Sequence, residues 1–265
     1  MYSTFQLAKK YLRYYLTAAN GRGHGIHSPF VFDFIIHVLR DTNKYDCYST
    51  IEKLRDKLLT DHLMIEVKDF GAGSAVIDGK TRVIKDIARS SLKNKKFARL
   101  LFRIVKYYKP KTILELGTSF GITSSYLAMG NPLSTVFTLE GSGNISAIAQ
   151  DNFNHLGLNN IELVEGDFNQ TLSGLLQKIN YVDMAFVDGN HQKGATLRYF
   201  RLLSEKIIPS SILIFDDIHW SKEMEGAWSL IKGHPSVKLS IDLFFMGLVF
   251  FSYDFRTTQH FIIRY

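Results

Sequence analysis

The chain has 265 residues, of which 46% are hydrophobic, and a formal charge of +7. That length holds one large domain or a catalytic domain with an appendage, and the apolar fraction is enough for a real core. No apolar run approaches the roughly 18 residues of a membrane span, no secretory leader is legible at the N-terminus, and a single cysteine, Cys47, excludes an internal disulfide or a cysteine zinc cluster. A cytoplasmic location is therefore expected.

The charge is uneven. Residues 1–110 hold 21 of the 32 Lys and Arg but only 10 of the 25 Asp and Glu. Such a front half suits nucleic acid, an anionic lipid surface or an acidic substrate, although basic residues spread this thinly more often form a solvated helical face.

Taken in chain order, residues 4–18 set Phe5, Leu7, Ala8, Leu12, Tyr15 and Leu16 among Lys9, Lys10 and Arg13, the pattern of an amphipathic helix. A membrane surface is one destination for it; packing on its own protein or on a second subunit is preferred. A turn with Gly21, Gly23 and Gly25 follows, and Ser28-Pro29 predicts the start of a helix over 30–39. His24 and His27 in this stretch suggest a metal only if a third ligand is named, and none can be. Ser49 and Glu52 read as a capping box ahead of a helix reaching about Leu63. Asp69–Ser74 has the look of a ligand-binding glycine loop, but no regular strand–helix series follows it, so a loop near a substrate mouth or a plain surface turn is expected there. Two more helices are predicted over 81–90 and 94–108, the second stopped by Pro110.

After Pro110 the pattern changes. Short apolar runs at 112–116, 136–139, 161–164, 184–187 and 211–215 alternate with helical stretches around 122–129, 144–155, 171–178 and 194–206, the signature of a parallel α/β sheet. Ser221 caps a further helix to about Lys232. Two final runs, 237–243 and 247–251, lack a helix between them and predict an antiparallel end.

The chemistry gathers at the ends of these runs. Glu115-Leu116-Gly117-Thr118-Ser119-Phe120-Gly121 is a buried strand entering a glycine turn and then a helix, the place where doubly wound sheets bind cofactors. The second and third glycines of a dinucleotide fingerprint are missing, and there is no Gly-Lys-Ser/Thr, so NAD, FAD and a P-loop are disfavoured. Glu140 stands about 20 residues on, where an acid accepts ribose hydroxyls. Gly166-Asp167, Asp188-Gly189-Asn190-His191 and Asp216-Asp217-Ile218-His219 end the next three strands. Each motif is weak alone; their order is the stronger signal.

Those motifs, over about residues 95–251, resemble the class I S-adenosylmethionine-dependent methyltransferases, and more narrowly the catechol and caffeoyl-CoA O-methyltransferases and their bacterial relatives. The resemblance implies an α/β fold, a Rossmann-like doubly wound seven-stranded sheet with a C-terminal antiparallel hairpin, in a domain at 96–265 behind a helical, substrate-side cap at 1–95. It implies S-adenosylmethionine held by Glu115, Gly117, Thr118, Ser119, Gly121, Glu140, Gly141, Asp167 and Asp188. It also implies a divalent ion such as Mg²⁺ on Asp188, Asp216 and Asp217, with one departure: the family pattern has Asn where Asp217 stands. Helix capping is the competing role for these aspartates. Methyl transfer is an in-line displacement that needs alignment and a base or metal for the acceptor hydroxyl, so Asp188, His191 and His219 are the candidate catalytic groups. The expected activity is O-methylation of a small molecule. The alternatives are an RNA or protein methyltransferase, encouraged by the basic front but lacking Asn/Asp-Pro-Pro-Tyr/Phe after the fourth strand, and a silent binding protein. Relatives commonly dimerise, so a homodimer is among the expectations.

Overall fold

The computed structural model describes residues 1–23, 25–67 and 80–265. In chain order the elements are α1 (Thr4–Thr17), α2 (Pro29–Phe34) with a π-turn at Ile35–Leu39, α3 (Asp46–Thr60), β1 (Met64–Val67), β2 (Lys80–Val83), α4 (Ile84–Ser91), α5 (Lys95–Tyr108), β3 (Thr112–Leu116), α6 (Ile122–Gly130), β4 (Thr135–Glu140), α7 (Gly143–His155), β5 (Ile161–Glu165), α8 (Phe168–Lys178), β6 (Val182–Val187), α9 (Lys193–Ser204), β7 (Ile207–Asp216), α10 (Lys222–Lys232), β8 (Leu239–Asp242), β9 (Met246–Phe250) and β10 (Gln259–Ile262). The chain divides into two compact units, one made of Met1–Asp41 with Ile179–Tyr265 and the other of Thr42–Lys178. The helical segment 1–95 is thus shared between them. Asp69–Ser74 and His24 lie outside the described residues.

In the second unit β3, β4 and β5 run parallel in continuous register. Ile113 to Leu116 are all fully buried, as expected of a strand covered on both faces. The core on one side joins Ile51 and Leu54 of α3, Phe102 of α5 and Tyr126 of α6. Tyr48 meets Phe102 edge-on at 5.1 Å between ring centroids, the arrangement favoured by the ring quadrupoles. Within that apolar shell sits one ionic knot. Glu52, 7% exposed, accepts from the Tyr126 hydroxyl at 2.8 Å, from Arg55 Nε at 3.1 Å and from Lys95 Nζ at 2.9 Å. Burial alone would raise the Glu52 pKa; Lys95, Tyr126 and Arg55 outweigh it and hold the carboxyl below the ordinary value.

This knot corrects the capping-box reading. The helix starts at Asp46, with Ser49 inside it donating to the Asp46 carbonyl, and Glu52 turns inward. The predicted helix over 81–90 is also corrected: its first turn is β2, paired antiparallel with β1, and α4 begins at Ile84.

In the first unit β6 and β7 are parallel, whereas β9 runs antiparallel to both β7 and β8, so the predicted C-terminal hairpin is present. The strand order is β10-β8-β9-β7-β6 within this unit and β3-β4-β5 within the other, with one strand more than expected. The addition is β10, parallel to β8. Ser28 caps α2 and Pro29 fills its first turn, as read from the sequence. Ser3 and Gln6 form a reciprocal capping box on α1. This helix packs through Leu7, Tyr14 and Ala18 against Phe244.

Candidate functional site

The glycine turn between β3 and α6 is a strained and heavily braced loop. Gly117, Ser119 and Gly121 all have positive φ, at 108°, 48° and 78°. At Gly121 a side chain is excluded twice, by the backbone conformation and because a Cβ would run into the Phe153 ring. The loop is pinned to the end of β4: the Gly117 and Thr118 N–H groups both donate to the Leu139 carbonyl, at 3.0 and 3.1 Å.

Glu140, at the tip of β4, closes the loop from the other side. Its Oε2 accepts from the Ser119 N–H at 2.9 Å and its Oε1 from the Ser142 N–H at 3.0 Å, so Gly141 sits inside a carboxylate clamp. Glu115 braces the loop from beneath. It is completely buried, and its Oε2 accepts from the Thr138 hydroxyl at 2.6 Å and from the Ser124 hydroxyl. Because the Thr138 proton is spent on Glu115, the 2.6 Å contact between Thr118 and Thr138 is one in which Thr118 donates. A chain of three hydroxyls and one carboxylate therefore fixes the loop rotamers. Neither Thr138 nor Ser124 was singled out in the sequence. The available signal was two small polar residues on otherwise buried stretches.

Asp167 follows β5 and Gly166, whose φ is 133°. Asp167 accepts the Asn169 N–H at 2.9 Å, and its carbonyl accepts the Thr171 hydroxyl at 3.0 Å. The side chain thus orders the first turn of α8.

The first unit carries a second group. Asp188, His191 and Asp216 offer ligand atoms that all lie within 4.8 Å of one another, with His191 Nε2 at 3.7 Å from Asp188 Oδ1. Asp216 is 2% exposed. Asp217 does not join this group; it takes a left-handed backbone with φ 52° and its carbonyl accepts the Trp220 N–H at 2.9 Å. Asn190 is likewise left-handed, at φ 53°, and its buried Oδ1 has no hydrogen-bond partner among the described residues. Two carboxylates and an imidazole are a donor set suited to a divalent cation.

His219 stands apart from that group. Its Nδ1 is 3.0 Å from Glu225 and its Nε2 2.9 Å from Asp242, and the ring stacks on Phe244 at 5.1 Å. Trp228 Nε1 donates to the same Asp242 oxygen at 3.1 Å. Glu225 also holds Tyr2 at 2.7 Å and Lys10 at 2.9 Å. Burial alone would depress the His219 pKa, but the Asp242 and Glu225 carboxylates outweigh it and raise it. Both ring nitrogens are engaged by carboxylates, and one of these, Glu225, also holds Lys10 of α1.

Residues 114–218 match the family model described as Methyltransferase domain. Over that stretch the chain is similar to methyltransferase domains. A methyltransferase of Podospora anserina bound to SAH has the same fold, with a TM-score of 0.61 at 15% identity over 85% of this chain and 97% of that one. An O-methyltransferase of Bacillus cereus in complex with SAH superposes with a TM-score of 0.56 at 19% identity, over 80% and 93% of the two chains. A tRNA (guanine-N(7)-)-methyltransferase of Mycoplasma mobile is 34% identical over 80 residues, which is 30% of this chain and 40% of that protein's length. The methyltransferase-domain match begins inside β3 and ends after β7, so it takes in the Glu115–Gly121 loop, Glu140 and the Asp188–His191–Asp216 group.

Proposed function

We propose that this protein is an S-adenosylmethionine-dependent methyltransferase acting on a hydroxyl of a small molecule. The observation that carries the reading is the Glu140 clamp. A carboxylate fixed by two backbone N–H groups at the end of β4 is preorganised to accept from a ribose diol, and the positive-φ turn beside it lets a ligand approach the backbone closely. In this reading Gly117, Thr118, Ser119 and Gly121 cradle the amino-acid end of the methyl donor, Glu140 and Gly141 take the ribose, and Asp167 lies on the adenine side. Glu115 acts through Thr138 and Thr118 as a positioning residue.

The reaction transfers methyl from the sulfonium sulfur to the acceptor oxygen. The C–S electron pair returns to sulfur, the O–C bond forms, and the hydroxyl proton leaves. His191 is the better candidate to take that proton, because both nitrogens of His219 are held by carboxylates. Asp188 and Asp216 would hold a divalent cation, Mg²⁺ in the first instance, with Asn190 as a neutral oxygen donor; a bound cation would lower the pKa of the acceptor hydroxyl and orient it. Residues 1–95 are proposed to contribute the acceptor side. The test is transfer of a labelled methyl group from S-adenosylmethionine across a panel of catechols, simple phenols and sugars, with Mg²⁺ and with EDTA. Transfer to a hydroxyl that His191→Ala reduces supports the reading; donor binding without transfer to any acceptor would favour a silent binding protein.

A second reading, methylation of RNA, is favoured by the likeness to the tRNA-modifying enzyme and by the basic front half. It predicts RNA binding that falls steeply with salt.

A further inference from the structure

Helix α1 is amphipathic twice over. One side docks on its own unit through Leu7, Lys10, Tyr14 and Ala18, by apolar packing on Phe244 and by the Lys10–Glu225 ion pair. At about 100° per residue, Phe5, Leu12 and Leu16 fall in one narrow stripe roughly opposite Tyr14. A solvated helix would be polar there. Instead Phe5 is 80% exposed, Leu12 58% and Leu16 71%. Lys9 borders this stripe, about 20° beyond Leu16, and Arg13 lies farther along the same flank; the 14 residues of α1 contain no Asp or Glu. The same unit exposes two further aromatics close to the helix ends and middle: Trp220, whose carbonyl accepts the Tyr2 N–H, and Phe245, whose ring lies 5.8 Å from that of Tyr11. Both are more than a third exposed.

We propose that this outer face of α1 is a docking surface for an anionic lipid bilayer. The combination fits a helix lying in the interface plane, with large apolar side chains entering the acyl boundary and cations at headgroup level. Charge decides between this occupant and a second copy of the chain. Two α1 faces brought together would set Lys9 and Arg13 of each against the same cations of the other, with no acidic partner on either helix, whereas anionic headgroups neutralise them. The bonds of Glu225 to Tyr2 and Lys10 and the packing on Phe244 keep the inner side of the helix attached to the protein while its outer side is buried in lipid. Binding through three apolar side chains and two cations is reversible and salt-sensitive.

The experiment is co-sedimentation of the whole protein with sucrose-loaded vesicles of phosphatidylglycerol and phosphatidylcholine, and of phosphatidylcholine alone. The variants are F5S/L12S/L16S and K9E/R13E. Far-ultraviolet circular dichroism and thermal midpoint verify that each remains folded, since the substituted side chains are exposed. Wild type should sediment with the anionic vesicles at low salt and not with phosphatidylcholine alone, and each variant should lower the bound fraction at least about tenfold. Absence of binding to anionic vesicles, or equal binding to neutral ones, would overturn the proposal. So would a dimer in light scattering that F5S/L12S/L16S converts to monomer without any lipid binding, which would assign the face to a second copy.

Discussion

Replacing Gly121 by alanine tests whether the loop geometry is as constrained as the structure shows. Two separate costs apply. The residue has φ 78°, and an L-residue in the left-handed region costs about 1–2 kcal/mol. The added methyl would also run into the Phe153 ring, and overpacking of a well-filled interior costs about 1–3 kcal/mol. The expected loss of stability is therefore about 2–5 kcal/mol. The two costs separate in a cycle with Phe153→Leu: in that background the steric part is relieved and the conformational part of about 1–2 kcal/mol remains. Urea unfolding followed by fluorescence and circular dichroism supplies the four stabilities, provided the slopes agree. A penalty below about 1 kcal/mol for Gly121→Ala, or one that Phe153→Leu leaves unchanged, would show that the turn is not constrained in this way.

Further outcomes follow from the same structure. Glu52→Ala leaves Arg55 buried without its partner and should destabilise the protein by about 3–5 kcal/mol, measured by urea unfolding at neutral pH. Because the Glu52 pKa is lowered by Lys95, Tyr126 and Arg55 against the effect of burial, its contribution is complete above the ordinary carboxylate pKa of about 4.3 and is lost as pH falls through the lowered value; Glu52→Gln should flatten that acid limb. His219 has the opposite sign. Its pKa is raised by Asp242 and Glu225 against desolvation, so its contribution is complete below about 6.5 and is lost as pH rises through the folded value; an NMR titration midpoint below 6.5 would contradict the clamp. Asp216→Asn should weaken Mn²⁺ binding, followed by electron paramagnetic resonance, by about tenfold or more while leaving the heat of donor binding unchanged.

Much of the frame was legible before the fold was known. The strand-to-turn series after Pro110 was readable because parallel strands buried on both faces are near-continuous apolar runs, as Met184–Val187 shows, and because each is followed by its helix. The Glu115–Gly121 turn and Glu140 stood out since glycine and acid at that spacing have a specific physical use. What escaped reading depended on residues far apart in the chain. Glu52 looks like a capping acid when only Ser49 is considered; its true partners, Lys95 and Tyr126, are 43 and 74 positions away. Strand β10 has a weak pattern of its own and exists through pairing with β8. His219 looked like a base because it follows two aspartates, but Glu225 and Asp242 claim its nitrogens. The cluster at the ends of β6 and β7 holds Asp188, His191 and Asp216, whereas Asp217, with its left-handed backbone, is not among its members. The exposed stripe on α1 was visible as hydrophobic periodicity, but only the packing of Tyr14 shows which side is left outward.

The most direct test is calorimetric binding of S-adenosylmethionine and S-adenosylhomocysteine to the wild type and to Glu140→Ala. Saturable binding of both is expected, weakened at least about tenfold by the substitution, as the loss of a charge-assisted hydrogen bond implies. Absence of binding to the wild type, or binding that Glu140→Ala leaves unchanged, would contradict the assignment of the β3–α6 loop and Glu140 as the methyl-donor site.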